Sequence, residues 1–139
     1  TIRAMRACFE MDEPCYKGEF HAFGPLGFEP KPIQRPLPIL IGGGTPPAER
    51  RAGYLGNGWH GPVSSIPAIK AHLAAAGRER EPFQFSSITL GPVRREELDA
   101  MAAQGATRAV VTPWDARVGE VGEEGFAVLE RYARAIGLH

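Results

Sequence analysis

Ile39-Leu40-Ile41-Gly42-Gly43-Gly44-Thr45-Pro46-Pro47 passes from an apolar strand through a glycine turn into a proline-started helix within nine residues. Glycine has no Cβ and tolerates positive φ, so such a turn lets a ligand come close to the main chain. Thr45 is a favourable N-cap, and proline suits the first helical turn, where its missing N–H costs nothing. The helix then points its positive end at the space above the glycines, where a phosphate is the usual occupant. Glycines also build strand-to-helix turns that bind nothing, and two familiar phosphate fingerprints are absent. A P-loop needs glycine and lysine where Pro47 and Ala48 stand. The dinucleotide pattern needs its third glycine at Pro47. The motif specifies an anion site without naming the anion.

Outward from this stretch, the pattern repeats. Pro25, Pro30, Pro32, Pro36 and Pro38 make the approach to Ile39 stiff and extended. After the turn, Ala48, Ala52 and Leu55 form one face of a helix from Pro46 to Leu55, stopped by Gly56 and Gly58. Gly58-Trp59-His60-Gly61 reads as a second strand, and Ile66, Ile69, Leu73 and Ala76 as a helix ending near Gly77. Phe83–Leu90 is a third strand, Arg95–Gln104 a helix, and Ala109–Thr112 a fourth strand. A last helix from Glu123 to Ile136 is expected to bury Phe126, Leu129, Tyr132 and Ala133. Repeated βα units imply an α/β fold with parallel strands and right-handed crossovers. Both an open doubly wound sheet and half of a (β/α)8 barrel fit that pattern.

Upstream, Ile2, Met5 and Phe9 recur at helical spacing, Asp12-Glu13-Pro14 ends that helix, and Tyr16 to Phe23 alternates as a short ribbon does. Phe20, Phe23 and Phe28 are expected to pack this arm down. The chain opens on Thr1 inside a helix and reads as starting midway through a fold.

The 139 residues, 43% hydrophobic and 23% charged, suit one globular core. Lys plus Arg equals Asp plus Glu at 16 each, so no global field draws the chain to nucleic acid or an anionic membrane, which leaves a small-molecule partner. Two cysteines, with neither a signal peptide nor a membrane-length apolar run, suggest a cytoplasmic setting. Cys8, Cys15 and His21 do not have zinc-ligand spacing, and no metal is expected. Ser64, Ser65, Ser86 and Ser87 lack the glycine framing of a nucleophile elbow. Arg78, Arg80, Arg94 and Arg95 read as solvated helix-end charges.

Four blocks in fixed order carry a resemblance: Tyr16-Lys17-Gly18-Glu19-Phe20, Gly27-Phe28-Glu29-Pro30-Lys31-Pro32-Ile33-Gln34, Pro38 through Thr45, and Leu55-Gly56-Asn57-Gly58-Trp59. Together they resemble the bacterial luciferase-like monooxygenase family, above all its deazaflavin-dependent branch. The resemblance implies that residues 1–139 form a single partial domain, the C-terminal half of a TIM-type (β/α)8 barrel. Ile39–Ile41 would be its fifth strand, Trp59 would lie in the sixth, Phe83–Leu90 would be the seventh and Val110–Thr112 the eighth, with the first half absent.

It further implies a cofactor, the deazaflavin coenzyme F-420 or FMN, whose phosphate is held by Gly42, Gly43, Gly44 and Thr45. In a barrel the active face is the C-terminal ends of the strands. There Trp59 either lines the ring pocket or is a buried structural residue. His60 either approaches the cofactor or packs, and Thr112, Trp114 and Asp115 close the last strand. No residue is singled out as catalytic. The implied activity is hydride transfer or oxygen insertion on a small organic substrate. The alternatives are a catalytically inactive half-barrel that binds a phosphorylated ligand or self-associates, and an unrelated open nucleotide-binding sheet. Half a barrel leaves two strand edges open, so a homodimer or association with an N-terminal half is expected.

Overall fold

The computed structural model of the chain describes residues 1–89, 91–112 and 125–138. The chain divides into two compact units, Thr1–Ile39 and Leu40–His139.

In the first unit, helix α1 (Ile2–Glu10) precedes an antiparallel ribbon of β1 (Tyr16–Lys17) and β2 (Ala22–Phe23). The apolar spacing produces the helix, although its buried residue is Ala4, while Met5 is left exposed. The last turn of α1 has unpaired carbonyls, and the Lys31 ammonium donates to two oxygens there, those of Cys8 at 3.1 Å and Met11 at 2.8 Å. The same ammonium lies 5.5 Å from the centre of the Phe28 ring, which meets Phe9 edge-on at 5.9 Å. Phe23 pairs with Tyr16 across the ribbon. Phe20 does not pack as expected and is 81% exposed, because it falls in the bend between the strands, outside the paired residues.

The second unit alternates strand and helix: β3 (Leu40–Gly42), α2 (Pro46–Leu55), β4 (Gly58–Gly61), α3 (Ile66–Ala75), β5 (Gln84–Ile88), α4 (Arg95–Ala103), β6 (Arg108–Val110) and α5 (Gly125–Ala135). A 3-10 turn, Val63–Ser65, leads into α3. All neighbouring strands are parallel, in the order β3-β4-β5-β6. A doubly wound nucleotide-binding sheet reverses its strand order at a switch point. Strands that stay in chain order follow the barrel pattern, which separates the two architectures that helix and strand alternation left open.

The core lies between sheet and helices. Ile41, Trp59 and Phe85 are register partners, so they share one face of the sheet and are all buried. Against them pack Ala48 and Ala52 of α2 and Ile66, Ile69 and Leu73 of α3, each buried. Full burial of an Ile, Leu or Phe side chain contributes roughly 1.5–3 kcal/mol. Helices α2 and α3 approach closely at Gly53, where an added Cβ would collide with the His72 side chain.

Two expectations are corrected. Helix α5 exposes Phe126 (87%) and Leu129 (46%). It is held instead at its C-terminal end, where Ile136 is buried, the Tyr132 hydroxyl donates to the Val93 carbonyl, and it accepts from the Val93 N–H, both at 3.0 Å. Its expected start at Glu123 lies outside the described residues, as does Leu90 at the end of the third strand.

Arg78 is no solvated charge. Its side chain is 16% exposed and its guanidinium donates to the carbonyls of Gly53 at 2.8 Å and Gly56 at 2.9 Å, while Glu81 receives the Nε–H at 2.8 Å. The fork fills acceptors at the end of α2 that the helix cannot satisfy itself, and it places a cation at the negative pole. Arg78→Ala should lower stability by about 2 kcal/mol, read as a fall in the urea midpoint, because two carbonyls lose a charged donor. Arg80→Ala, at an exposed position, should leave the midpoint within about 0.5 kcal/mol of wild type.

Candidate functional site

The C-terminal ends of β3 and β4 meet at the glycine turn. Gly42 is the register partner of His60, and the Gly43 N–H donates to the His60 carbonyl at 3.4 Å. The two strands are thus still joined one residue beyond β3. Residues 42–47 are all exposed.

The turn then passes into α2. Thr45 is its N-cap in extended conformation (φ −125°, ψ 150°), and its carbonyl accepts from Ala48 N–H at 2.9 Å and Glu49 N–H at 3.0 Å. Pro46 and Pro47 occupy the first helical positions and carry no N–H. The Thr45 hydroxyl makes no capping hydrogen bond. What remains for a ligand is therefore narrower than three glycines suggest: the N–H groups of Gly44 and Thr45 and the Thr45 hydroxyl. None of the three has a partner among the described residues. They sit at the positive pole of α2, where an anion is favoured.

The glycines also differ in what they require. Gly43 has φ +140°, and an added Cβ would stand 2.9 Å from the Ala48 Cβ. At Gly42 and Gly44 the nearest atoms would be the His60 carbonyl oxygen and Pro62 Cγ, each at an ordinary 3.5 Å. Only Gly43 needs to be glycine on steric and conformational grounds.

Trp59 supports this turn from within the core. Its side chain is 1% exposed, and Nε1 donates to the Pro62 carbonyl at 3.3 Å. A Cβ on Gly61 would lie 2.7 Å from its ring, and one on Gly43 would lie 3.9 Å from it. The indole is thus the floor beneath both the β3 and the β4 turns, with its faces against protein.

His60 occupies the opposite face of the sheet, half-buried, with Nδ1 3.0 Å from the Ser86 hydroxyl. No local signal in the sequence pairs Ser86 with His60, because that pairing depends on the β4–β5 register, which no local pattern encodes. A second polar contact braces α2: the Ser65 hydroxyl donates to Glu49 at 2.6 Å. Thr112 is half-buried just beyond β6, whereas Trp114 and Asp115 lie outside the described residues. Among the described residues, no cluster of three His, Cys, Asp or Glu side chains could hold a metal ion, and no helix is long and apolar enough to cross a membrane.

Parallel βα repeats in barrel order, with a glycine turn at a strand's C-terminal end, define a TIM-barrel-type α/β protein. The model of the luciferase-like monooxygenase family matches residues 1–134, and the chain belongs to that family. An uncharacterized protein of Mycobacterium tuberculosis is 34% identical over 119 residues, covering 78% of this chain and 40% of its own length. The FMNH2-dependent dimethylsulfone monooxygenase of Pseudomonas putida is 27% identical over 115 residues, covering 78% of this chain and 32% of its own. The chain thus spans well under half the length of these curated relatives. A solved F420-dependent secondary alcohol dehydrogenase, in complex with an F420-acetone adduct, shares the fold at a TM-score of 0.54 and 17% identity. That match covers 96% of this chain and 51% of the dehydrogenase.

The unequal demands on the glycines are measurable. Gly43→Ala should cost about 1–3 kcal/mol in urea unfolding, from positive φ and the Ala48 contact combined. Gly44→Ala should stay within about 0.5 kcal/mol of wild type.

Proposed function

We propose that this chain carries the phosphate-binding side of a flavin- or deazaflavin-dependent luciferase-like oxidoreductase. The observation that carries this reading is the exposed turn at the N-terminus of α2, where the N–H groups of Gly44 and Thr45 and the Thr45 hydroxyl have no partner among the described residues. These groups fit a phosphate oxyanion: all three can donate, and the helix dipole adds favourable charge. Gly42 and Gly43 give access and curvature, and Trp59 holds the turn in place from below. FMN and coenzyme F-420 both present a phosphate to such a cradle. Bound there, either supplies hydride or oxygen chemistry through its own ring. The protein's part at this end is to bind and orient. The substrate is a small organic molecule, and the family relationship and the named cofactors of the relatives support this reading.

The second reading is a half-site that binds a phosphorylated ligand, or associates, without turnover. It is favoured by β3 and β6, which are sheet edges among the described residues. Ile88, on the face shared with His60 and Ser86, is 42% exposed and suits an apolar partner surface. A second copy or an N-terminal half-barrel fits both edges, since each offers parallel pairing.

Fluorescence titration with FMN, coenzyme F-420 and riboflavin tests the cradle. FMN should bind more tightly than riboflavin, and Thr45→Val should weaken FMN about ten- to a hundredfold while leaving riboflavin unchanged, as loss of one hydrogen bond to an anion predicts. Equal affinity for FMN and riboflavin would remove the phosphate assignment. Cofactor binding with no substrate-dependent redox change supports the half-site reading. In sedimentation at micromolar concentration the chain should run as a dimer, and a monodisperse monomer would remove self-association.

A further inference from the structure

Ser86 is 1% exposed, and its hydroxyl has one proton to place. Among the described residues its side-chain partner is Nδ1 of His60, 3.0 Å away. Leaving a buried hydroxyl without an acceptor costs about 1–3 kcal/mol, so the serine donates and Nδ1 accepts. A neutral imidazole whose Nδ1 accepts carries its own proton on Nε2. That Nε2–H has no partner among the described residues, and His60 is only half-buried.

The donor is tied to the glycine turn by the main chain. The His60 carbonyl accepts the Gly43 N–H, and Gly42 is the register partner of His60 on the same face. A donor one strand away from the Gly44 and Thr45 N–H groups lies within side-chain reach of whatever continues from a phosphate held there. In a flavin-type cofactor that continuation is a polyhydroxylated chain rich in acceptor oxygens.

We infer that His60 is a binding residue that donates its Nε2–H to an oxygen on the phosphate–ribityl arm of the cofactor, with Ser86 as the positioning residue that selects this tautomer. The inference rests on the cofactor reading given above and adds a residue on the other side of the turn. It also gives the buried Ser86 a role: with Nδ1 engaged, the ring can present only its Nε2 edge as a donor.

Long-range 1H–15N correlation spectra of the imidazole in the ligand-free chain read the tautomer directly. The Nε2–H form should dominate in wild type, and Ser86→Ala should yield a mixture of the two neutral forms. A predominant Nδ1–H form in wild type, or an unchanged pattern in Ser86→Ala, overturns the assignment. Binding of FMN, riboflavin and lumiflavin, which lacks the ribityl chain, then locates the contact. His60→Leu should weaken FMN and riboflavin about five- to tenfold and leave lumiflavin unchanged, while His60→Gln, which keeps an N–H donor, should recover part of the loss.

Equal loss for lumiflavin, or no loss for FMN, overturns the role of His60. Wild-type binding of FMN no tighter than riboflavin overturns the phosphate cradle instead. A chain that binds none of the three flavins overturns both.

Discussion

Trp59 is wedged under two turns at once, and the geometry of the strand ends depends on it. The indole fills the space beneath Gly43 and Gly61 and donates to the Pro62 carbonyl. Its neighbours in the register, Ile41 and Phe85, continue the same buried row across the sheet. Because the side chain is large and almost fully enclosed, the two turns cannot approach or separate without opening a cavity or a clash. The Gly43 to His60 hydrogen bond, the positive φ of Gly43 and the outward display of Gly44 and Thr45 all follow from that spacing.

Helix α2 is managed differently at its two ends. At the N-terminus, two prolines remove donors that a helix would otherwise leave unsatisfied, and the Thr45 carbonyl takes the next two. The anion-attracting groups are thereby confined to the turn. At the C-terminus, the Arg78 fork covers carbonyls and sits at the negative pole. One end is closed by a side chain from a distant element, and at the other the Gly44 and Thr45 N–H groups have no partner among the described residues.

The order of elements was legible because each signal was local. Proline and glycine marked helix starts and stops, and a short apolar stretch framed by glycines marked β4, so β4 and α2 stand where the sequence places them. The remaining strands differ from their expected ends by a residue or two, as Arg108–Val110 does. The amphipathic pattern of α5 suggested burial of Phe126 and Leu129, but a helical stripe is buried only where another element covers it. Phe20 shows the same limit: aromatic content called for packing, while its position in a bend left it exposed.

Sequence alone determined the βα repeat, the glycine turn entering a proline-started helix, and the family resemblance, since each resides in residues adjacent along the chain, whereas the side-chain cap expected of Thr45 does not form. Tertiary structure decided which of the three glycines must be glycine, that the indole of Trp59 faces inward under the turns, that Arg78 closes α2, and that Ser86 meets His60. Those properties arise from strand register and, for Arg78 and Ser86, from atoms brought together across 22 to 26 positions of sequence. Register is set by the collective burial of one sheet face, which no single segment encodes.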